Sequence, residues 1–468
     1  MFDKNVNLSQ IYTDTDTIGN TRIRRIPLTF GNGKIDSQRK IANITPYTTM
    51  KTQNLSLRIV LFYAILCIAT SYSFGQGIFL RAAGAVNESM GGAGTAAPLD
   101  GMGALQWNPA GISMLENNEV SFGMGLVLPS CSMTLASPWG SDTADGEPGA
   151  VPTPSAAMIY RPNPCSRWTY GFAMNAFGGA KLAYSYLGEL EAPTPIGPQS
   201  PLAGLGTLNS DIYLLQMLPT ASYKISDNLS VGGGVNVCMA QVLCDPLFVS
   251  ATPEGYVSPY PSGTSSRYAW GAGFQLGVYY RPNDCWSFGF MYKSPTWMEP
   301  FRYHTIEVKE DGTKEAGLRK LHLNVPEVMS FGIAYTGFNK TLIAIDFRRF
   351  GFNDAGGDYV KMGWKNLFGL NIGIQREINE RLTLRCGYAY NDCPYESPYA
   401  LANSATPLIT QHVLFMGGTM KITPQVELTL AYSHAFKNSV TGPIGNTVLT
   451  TSSEIGANAI TGGVRVLF

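Results

Sequence analysis

From residue 118 to the end of the chain, side chains alternate with a period of two, which is the period of a β-strand. A soluble sandwich would also alternate, but its polar face would be rich in Lys and Glu. Here one face is aromatic or aliphatic and the other is small or weakly polar, which favours a barrel with a lipid-facing outside. In 286–293 the two faces are Trp286, Phe288, Phe290 and Tyr292 against Ser287, Gly289, Met291 and Lys293.

The alternation predicts an all-β fold, a fourteen-stranded antiparallel transmembrane β-barrel at 118–468. Short connections alternate with long ones, as periplasmic turns and extracellular loops do in bacterial barrels, whose strand number is even. The predicted strands are 118–129, 153–161, 166–178, 210–224, 228–243, 267–281, 285–294, 319–337, 341–352, 359–377, 381–391, 408–422, 426–437 and 456–468.

Composition agrees with a barrel and excludes other classes. Charged residues make up 14% of the 468 residues, whereas soluble domains carry about 25%. The mean hydropathy is zero, which argues against both a helical membrane protein and a disordered chain. The 33 basic and 33 acidic side chains cancel, so no basic excess indicates a nucleic-acid partner.

One stretch near the N-terminus has the features of a secretory signal peptide, which we place at 50–75. Positive charges precede an apolar core at 59–70, and small residues follow at Ser73 and Gly75. The core is shorter than the roughly 20 apolar residues of a spanning helix, so an N-terminal anchor is the less favoured alternative. Residues 1–49 are polar and aperiodic, and are either a mis-set translation start or a disordered extension.

The cysteines form no recognisable site. Beyond residue 75 their number is odd and no CxxC occurs, so the sequence predicts neither a disulfide framework nor a metal site. Cys165 and Cys285 follow two similar turns, which we interpret as repeated use of a good turn rather than a paired-cysteine site. No nucleophile–base pair stands out, so we predict no enzyme activity and no cofactor.

The last strand ends the chain with an aromatic residue. Val464, Val466 and Phe468 alternate with small and polar residues up to the C-terminus. A C-terminal alternating strand that ends in Phe resembles the signal that outer-membrane barrels present to their assembly machinery. We therefore expect the barrel-assembly machinery as a partner and the bacterial outer membrane as the location.

Residues 76–117 precede the first strand and do not alternate. Their side chains are too small for a lipid-facing surface, but a barrel of this size is wide enough to need a plug. We predict that they form a small N-terminal plug of short helices inside the lumen. Two motifs stand out there, namely the glycines Gly91, Gly92 and Gly94 and the run Asn108, Pro109, Ala110 and Gly111.

The order of these two motifs, directly after a signal peptide, resembles the outer-membrane long-chain fatty-acid transporter family (FadL/TodX type). The resemblance implies passive uptake of long-chain fatty acids or other hydrophobic small molecules by a monomer. The ligand would enter an apolar groove among the extracellular loops, pass a pocket lined by the plug, and leave sideways through the barrel wall. Further matching motifs lie at 175–178, 292–295, 325–327, 364–366 and 385–390, so the resemblance spans nearly the whole mature chain.

The resemblance also implies a position for each step. Ile78 and Phe79 would line the pocket, and Asn108 would hold a kink in the third strand by hydrogen bonding. Glycine pairs in strands mark bulges or kinks, although the pair here could simply begin the long loop at 179–209. The candidate groove residues are Leu182, Tyr184, Tyr186 and Leu187, and the candidate kink residues are Asn175, Phe177, Gly178 and Gly179.

Two questions stay open at this point. The charged residues that parity places on the inward face either meet a carboxylate ligand or form ion pairs that hold the plug to the wall. The alternative function is a same-fold outer-membrane partner of a protein secretion or surface-attachment system; a general porin and an enzyme are less favoured. The inward charges are Asp346, Arg348, Arg385, Glu427 and Arg465.

Overall fold

The computed structural model describes residues 77–468 except 186, 199–206, 246–265 and 309–312. The predictions for 1–49 and for the signal peptide at 50–75 lie outside the described residues. Within the described part, no helix is both long and apolar enough to cross a membrane.

The helices are short and most of them precede the first strand. They are α1 (Gly84–Ser89), α2 (Gly101–Trp107) and the 3-10 turns Pro109–Met114, Leu187–Glu189 and Ser397–Tyr399. Asp100 begins α2 because its carboxylate accepts a hydrogen bond from the Gly103 N–H at 3.1 Å. Asn108 begins the next turn in the same way, accepting from the Ala110 N–H at 3.1 Å. Pro109 suits the first helical position, where its missing N–H is not needed.

Eighteen strands follow within the described residues. They are β1 (Glu119–Ser137), β2 (Gly140–Gly146), β3 (Val151–Tyr160), β4 (Trp168–Tyr184), β5 (Leu208–Ser226), β6 (Leu229–Asp245), β7 (Ala269–Tyr280), β8 (Trp286–Lys293), β9 (Trp297–Met298), β10 (Phe301–Val308), β11 (Lys314–Leu321), β12 (Val328–Phe338), β13 (Thr341–Phe350), β14 (Leu367–Glu377), β15 (Leu382–Asn391), β16 (His412–Lys421), β17 (Val426–Pro443) and β18 (Thr450–Leu467).

Fourteen of these strands form a closed antiparallel wall, as the alternation predicted. The wall runs β1, β3 to β8 and β12 to β18, with each strand paired to its neighbours. Closure comes from β1 and β18, whose register runs from Glu119 opposite Leu467 to Ala136 opposite Thr450. Closure pairs the first and last strands, so that neither end of the sheet is left as a free edge in lipid.

The structure corrects several predicted boundaries. The predicted strand at 319–337 joins the end of a separate hairpin, β10–β11, to the wall strand β12. The predicted strand at 359–377 begins with turns, and β14 starts only at Leu367. The last hairpin is longer than predicted, because β17 and β18 continue through most of the expected loop at 438–455. Periodicity alone does not distinguish a hairpin beyond the membrane from a wall strand.

The two faces of the wall have the polarity that parity predicted. On β4 the side chains of Trp168, Tyr170 and Phe172 point outward and are each exposed by nearly half. The C-terminal Val464, Val466 and Phe468 also lie on the exposed outer face. The five predicted inward charges are buried or nearly so: Asp346, Arg348, Arg385, Glu427 and Arg465.

Residues 77–117 contact the inward side of strands around the wall. Helix α1 contacts β15 to β18 and β1, helix α2 contacts β1 and β3 to β5, and the turn Pro109–Met114 contacts β4 to β7. Between the helices, the Thr95 hydroxyl hydrogen-bonds Ser330 of β12 and Asp346 of β13. We call residues 77–117 the N-terminal segment.

Candidate functional site

The wall is open between β3 and β4. These strands pair only where Ser155–Tyr160 lies opposite Tyr170–Asn175. Beyond that point β3 stays with β1, while β4 stays with β5 as far as Tyr184. Contact is regained at the far end, where Gly146 of β2 pairs with Tyr184. The result is a lateral opening bounded by paired wall at both ends.

On the β4 side, the opening coincides with a bulge. The register between β4 and β5 shifts between Ala176 and Gly178, so Phe177 has no partner on β5. The Phe177 side chain is turned inward and buried, 6.1 Å from the Phe79 ring. The structure therefore places the predicted kink residues Asn175, Phe177, Gly178 and Gly179 at the edge of the opening.

On the β3 side, the opening coincides with two prolines, Pro152 and Pro154. Pro152 and Pro154 lie opposite Leu126 and Met124 of β1, so the ladder to β1 is intact. A proline has no N–H to give, and strands tolerate it where that donor would face away from a partner. Since the ladder to β1 is intact, the two N–H groups that the prolines lack are ones that would have pointed toward β4. The two prolines in the run 151–155 were the sequence feature that could have indicated an unpaired edge here.

The N-terminal segment pairs with β4 where β3 does not. The Leu80 N–H donates to the Phe177 carbonyl at 2.8 Å, and the Gly179 N–H donates to the Ile78 carbonyl at 3.1 Å. Phe79 and Gly178 form the antiparallel bridge between these two bonds. Gly178 is needed for this approach, because a Cβ there would lie 2.7 Å from the Ile78 oxygen.

A cavity of about 450 Å³ runs through the opening. Ile212 and Leu214 of β5 line it from the lumen, whereas Tyr213 and Leu215 line it from the outer face. Since one space touches both faces of the same strand, it passes through the wall. The predicted residues Ile78, Phe79, Gly178, Gly179 and Leu182 line this wall cavity together.

A second, inner cavity of about 80 Å³ adjoins the wall cavity. The two share Ile78, Ile212, Leu214 and Thr406, so these residues form the partition between them. The remaining lining is mostly apolar: Val242, Met298, Phe301, Leu321, Leu323, Val325, Tyr359, Met362, Trp364, Ala402 and Ala405, with Ser210, Cys244 and Lys361. A mostly apolar cavity with few polar groups is the usual form of a site for a hydrophobic small molecule.

An aromatic cluster fixes the N-terminal segment between the two cavities. The Phe79 ring lies 5.1 Å from Phe350 and 5.9 Å from Phe352. Phe352 in turn packs against Trp364 at 4.9 Å. Phe79 is thereby held beside the opening, and Ile78 is held at the partition.

The sequence and the fold were compared with known proteins. Residues 66–461 match the model of the family "Outer membrane protein transport protein (OMPP1/FadL/TodX)". The chain belongs to this family. Its members are outer-membrane transport proteins, so the chain is an outer-membrane barrel with a role in transport.

Individual members of the FadL/TodX family agree with this assignment. Outer membrane protein P1 of Haemophilus influenzae is 23% identical over 392 residues, covering 73% of this chain and 82% of that protein. The toluene transporter TodX of Pseudomonas putida has a TM-score of 0.62 at 16% identity, covering 85% of this chain and 99% of TodX. A Pseudomonas aeruginosa FadL homologue has a TM-score of 0.63 at 15% identity, covering 84% and 99%. These structures share the fold.

The expected groove residues are not exposed loop residues. Leu182 and Tyr184 continue strand β4 beyond the bulge, and Leu187 begins a 3-10 turn. All three side chains are buried in the main apolar core, and of the three only Leu182 is among the residues lining the wall cavity. Tyr186 lies outside the described residues. The loop predicted at 179–209 therefore begins later than expected, because β4 extends to Tyr184. The role of these residues in ligand binding stays a prediction.

The expected contact between Asn108 and the kink was also wrong. The Asn108 amide donates to the Thr95 carbonyl at 2.8 Å and to the Val278 carbonyl of β7 at 3.0 Å. The Asn108 amide thus donates to the N-terminal segment and to β7, and not to the kink in β4. The link to the kink runs instead from Asn175 through Gln216, whose amide donates to Asn175 at 3.2 Å and also bonds Gln106 of α2.

Asp346 and Arg348 hold the N-terminal segment to β13. The Asp346 carboxylate accepts from the Gly94 N–H at 2.8 Å and the Thr95 N–H at 3.0 Å, and from Arg348 at 2.9 Å. Arg348 also donates to the Gly92 carbonyl at 2.5 Å. Gly91 and Gly92 have φ of +65° and +80°, a conformation that favours glycine and turns the chain toward these charges.

The other inward charges are also engaged by protein groups. Arg465 forms ion pairs with Glu427 and Glu119 and donates to the Leu99 carbonyl at 2.7 Å. Arg385 donates to Gln375 at 2.7 Å and to Thr419 at 2.6 Å. Of the two interpretations left open by the sequence, the structure favours bonds that hold the N-terminal segment and the wall together.

Proposed function

We propose that this protein takes up hydrophobic small molecules, such as long-chain fatty acids, passively across the outer membrane and releases them sideways through the opening between β3 and β4. The observation that carries the proposal is the wall cavity, which is lined from the lumen by Ile212 and Leu214 and from the outer face by Tyr213 and Leu215. Names of solved family members, such as toluene transporter, support a hydrophobic ligand.

Physical chemistry supports a lateral route over an aqueous one. Each CH₂ group moved from an apolar site into water costs about 0.8 kcal/mol, so a long alkyl chain gains nothing from a watery pore. A space that joins the apolar inner cavity to the lipid-facing surface keeps the chain out of water throughout. The N-terminal segment contacts strands around the wall, which disfavours a straight route to the periplasm.

The proposal is tested by filling the opening. Thr153 of β3 lines the wall cavity at the edge where β3 leaves β4. Thr153→Trp should obstruct the opening and reduce uptake of radiolabelled palmitate and hexadecanol to the level of cells that lack the protein. Folded protein in the membrane is quantified by its heat-dependent shift on gels, so that a loss of barrel is not mistaken for a loss of transport.

A matched control uses the same strand. Met158 of β3 is exposed on the lipid face, in the part of the strand that is paired with β4. Met158→Trp adds the same bulky side chain to the same strand and should transport both compounds at the parental rate. If Thr153→Trp also transports at the parental rate, the lateral route is wrong. Parental protein that takes up neither compound would favour the secretion-partner alternative.

A further inference from the structure

The β10–β11 hairpin has two faces of different character. Phe301 and Leu321 lie opposite each other and line the inner cavity, and Tyr303 is buried. Arg302 and Lys320 form the neighbouring opposed pair, and both side chains are exposed. Because side chains alternate between the two faces of a strand pair, Arg302 and Lys320 lie on the face that is turned away from the lumen.

This outward pair of cations has no counter-charge. Among the residues whose side chains the structure describes, no carboxylate lies within ion-pair distance of Arg302 or Lys320. The described acid closest to Arg302 in the chain is Glu299, whose carboxylate accepts from the Trp270 N–H at 3.4 Å. Like charges directly opposite each other on two strands are destabilising. An anion bound between the two cations would remove that repulsion.

Exposed aromatic side chains mark the membrane boundary below the hairpin. Trp270 of β7 and Trp297 of β9 are 46% and 57% exposed, and Trp297 lies opposite Ala272 of β7. Tryptophan is enriched where a barrel wall passes from hydrocarbon to the polar layer. The long connection from β8 to β12 leaves the wall at this end, which is the extracellular end of bacterial barrels.

The cations lie beyond these aromatic residues. The Glu299 N–H donates to the Trp270 carbonyl at 2.8 Å, which aligns the two segments. Arg302 is three residues farther along the chain from Glu299, and the exposed Arg267 is three residues from Trp270 in the same direction away from the wall. Three residues of extended chain span about 10 Å. The headgroup layer of a phospholipid is only about 5 to 8 Å thick.

We propose that the outward face of β10–β11, together with Arg267, binds the acidic sugar and phosphate groups of an anionic glycolipid in the outer leaflet of the membrane. A headgroup built of several sugars extends as far as these cations do, whereas the phosphate of a phospholipid lies nearer the aromatic residues. Arg302 and Arg267 suit such a partner because a guanidinium binds phosphates and carboxylates with paired hydrogen bonds.

This surface is separate from the route proposed for hydrophobic molecules. Arg302, Lys320 and Arg267 line neither the wall cavity nor the inner cavity. The inference therefore stands or falls independently of uptake. It assigns the hairpin a second role, in which its inward face closes the inner cavity and its outward face holds lipid beside the barrel.

The test measures lipid binding to the delipidated protein in detergent. The protein is titrated with lipid A that carries its acidic inner-core sugars and, separately, with phosphatidylglycerol, and bound lipid is counted by native mass spectrometry. Arg302→Gln with Lys320→Gln should weaken glycolipid binding about three- to thirty-fold, the range for two exposed ion pairs. Binding of phosphatidylglycerol should not change. Added salt should reduce the difference between parent and variant, because it screens exposed charges.

A matched control removes the same charge at the other end of the barrel. Arg381 and Lys421 are exposed, and the Lys421 N–H donates to the Arg381 carbonyl at 2.9 Å. Arg381→Gln with Lys421→Gln should bind the glycolipid as the parent does. Arg302→Lys with Lys320→Arg keeps both charges and should also bind as the parent does.

Three outcomes would overturn the inference. The first is unchanged glycolipid binding in the variant that lacks both hairpin cations. The second is an equal loss in the control at the other end, which would show a general effect of net charge. The third is an equal loss of phosphatidylglycerol, which would show that the sugars are not recognised. Arg302→Gln and Lys320→Gln, measured singly, should each give part of the loss and decide the question if the double variant does not fold.

Discussion

The Leu80 N–H donates to the carbonyl of Phe177 at 2.8 Å, and this bond joins the N-terminal segment to the bulge in β4. Phe177 lacks a partner on β5, and β3 has already left β4 at this level. The segment therefore takes the place of a missing neighbour strand. A substitution at the bulge should therefore displace the N-terminal segment, and a substitution in the segment should displace the bulge.

The first prediction concerns Gly178. A larger residue here must displace its neighbours, because its Cβ would lie 2.7 Å from the Ile78 oxygen and 2.9 Å from Leu214 Cδ1. Gly178→Val should displace residues 78–80 at a cost of about 1 to 3 kcal/mol in the free energy of unfolding. Hydrogen exchange at the Leu80 amide should accelerate, as measured by mass spectrometry.

A glycine with free space around it provides the comparison. A Cβ at Gly462 of β18 would have no atom within 4 Å. Gly462→Val should fold normally and leave exchange at Leu80 unchanged. If Gly178→Val also leaves that exchange unchanged, the contact between the segment and the bulge is weaker than its geometry suggests.

The second prediction concerns the buried ion pair of β13. Asp346→Asn removes the charge that compensates Arg348, whose side chain is fully buried. Breaking one partner of a buried pair costs about 3 to 5 kcal/mol. We expect the N-terminal segment to become sensitive to protease while the barrel keeps its heat-dependent gel shift. Glu454→Gln, which breaks the exposed pair with Lys437, should change neither readout, because an exposed ion pair contributes little to stability.

The third prediction concerns the C-terminal residue. Phe468 is exposed on the outer face and its backbone N–H donates to the Asn118 carbonyl at 3.0 Å. Phe468→Ala keeps that bond, so the refolded protein should be as stable as the parent in detergent. If Phe468 is part of the signal for barrel assembly, the amount of folded protein in cells should fall several-fold. Phe122→Ala, at a similarly exposed outer position of β1, should not lower it.

Much of the barrel could be predicted from sequence because parity is a local property. A residue at an even or odd position in a strand points in or out whatever its neighbours do, so Trp168 and Asp346 could be assigned to the correct faces. The strand number followed from the same alternation. Strand ends were less certain, because β10–β11 alternates like a wall strand although it pairs only with itself.

Contacts across the lumen could not be predicted in this way. Asn108 was assigned to the kink by family resemblance, but its partner carbonyl is on β7, a relationship that depends on how α2 and the following turn cross the lumen. The contacts of Arg81 could not be predicted either, because a single basic residue in the apolar stretch 77–86 does not indicate its partners. Its bonds to Thr410 join residues 329 positions apart in the chain.

The last prediction concerns the two prolines that leave β3 without donors toward β4. Replacing both, as Pro152→Thr with Pro154→Thr, restores two N–H groups and adds residues that favour strands. β3 should then pair with β4 beyond Ser155 and compete with the N-terminal segment for its place beside the bulge. We expect amide exchange at 176–181 to slow and uptake of palmitate and hexadecanol to decrease together, because a narrower opening obstructs both.

Pro219→Thr, on the outer face of β5 opposite Phe172, restores a donor away from the opening and should leave uptake at the parental rate. Unchanged uptake in the double variant, despite slower exchange at 176–181, would mean that the width of this opening does not limit release.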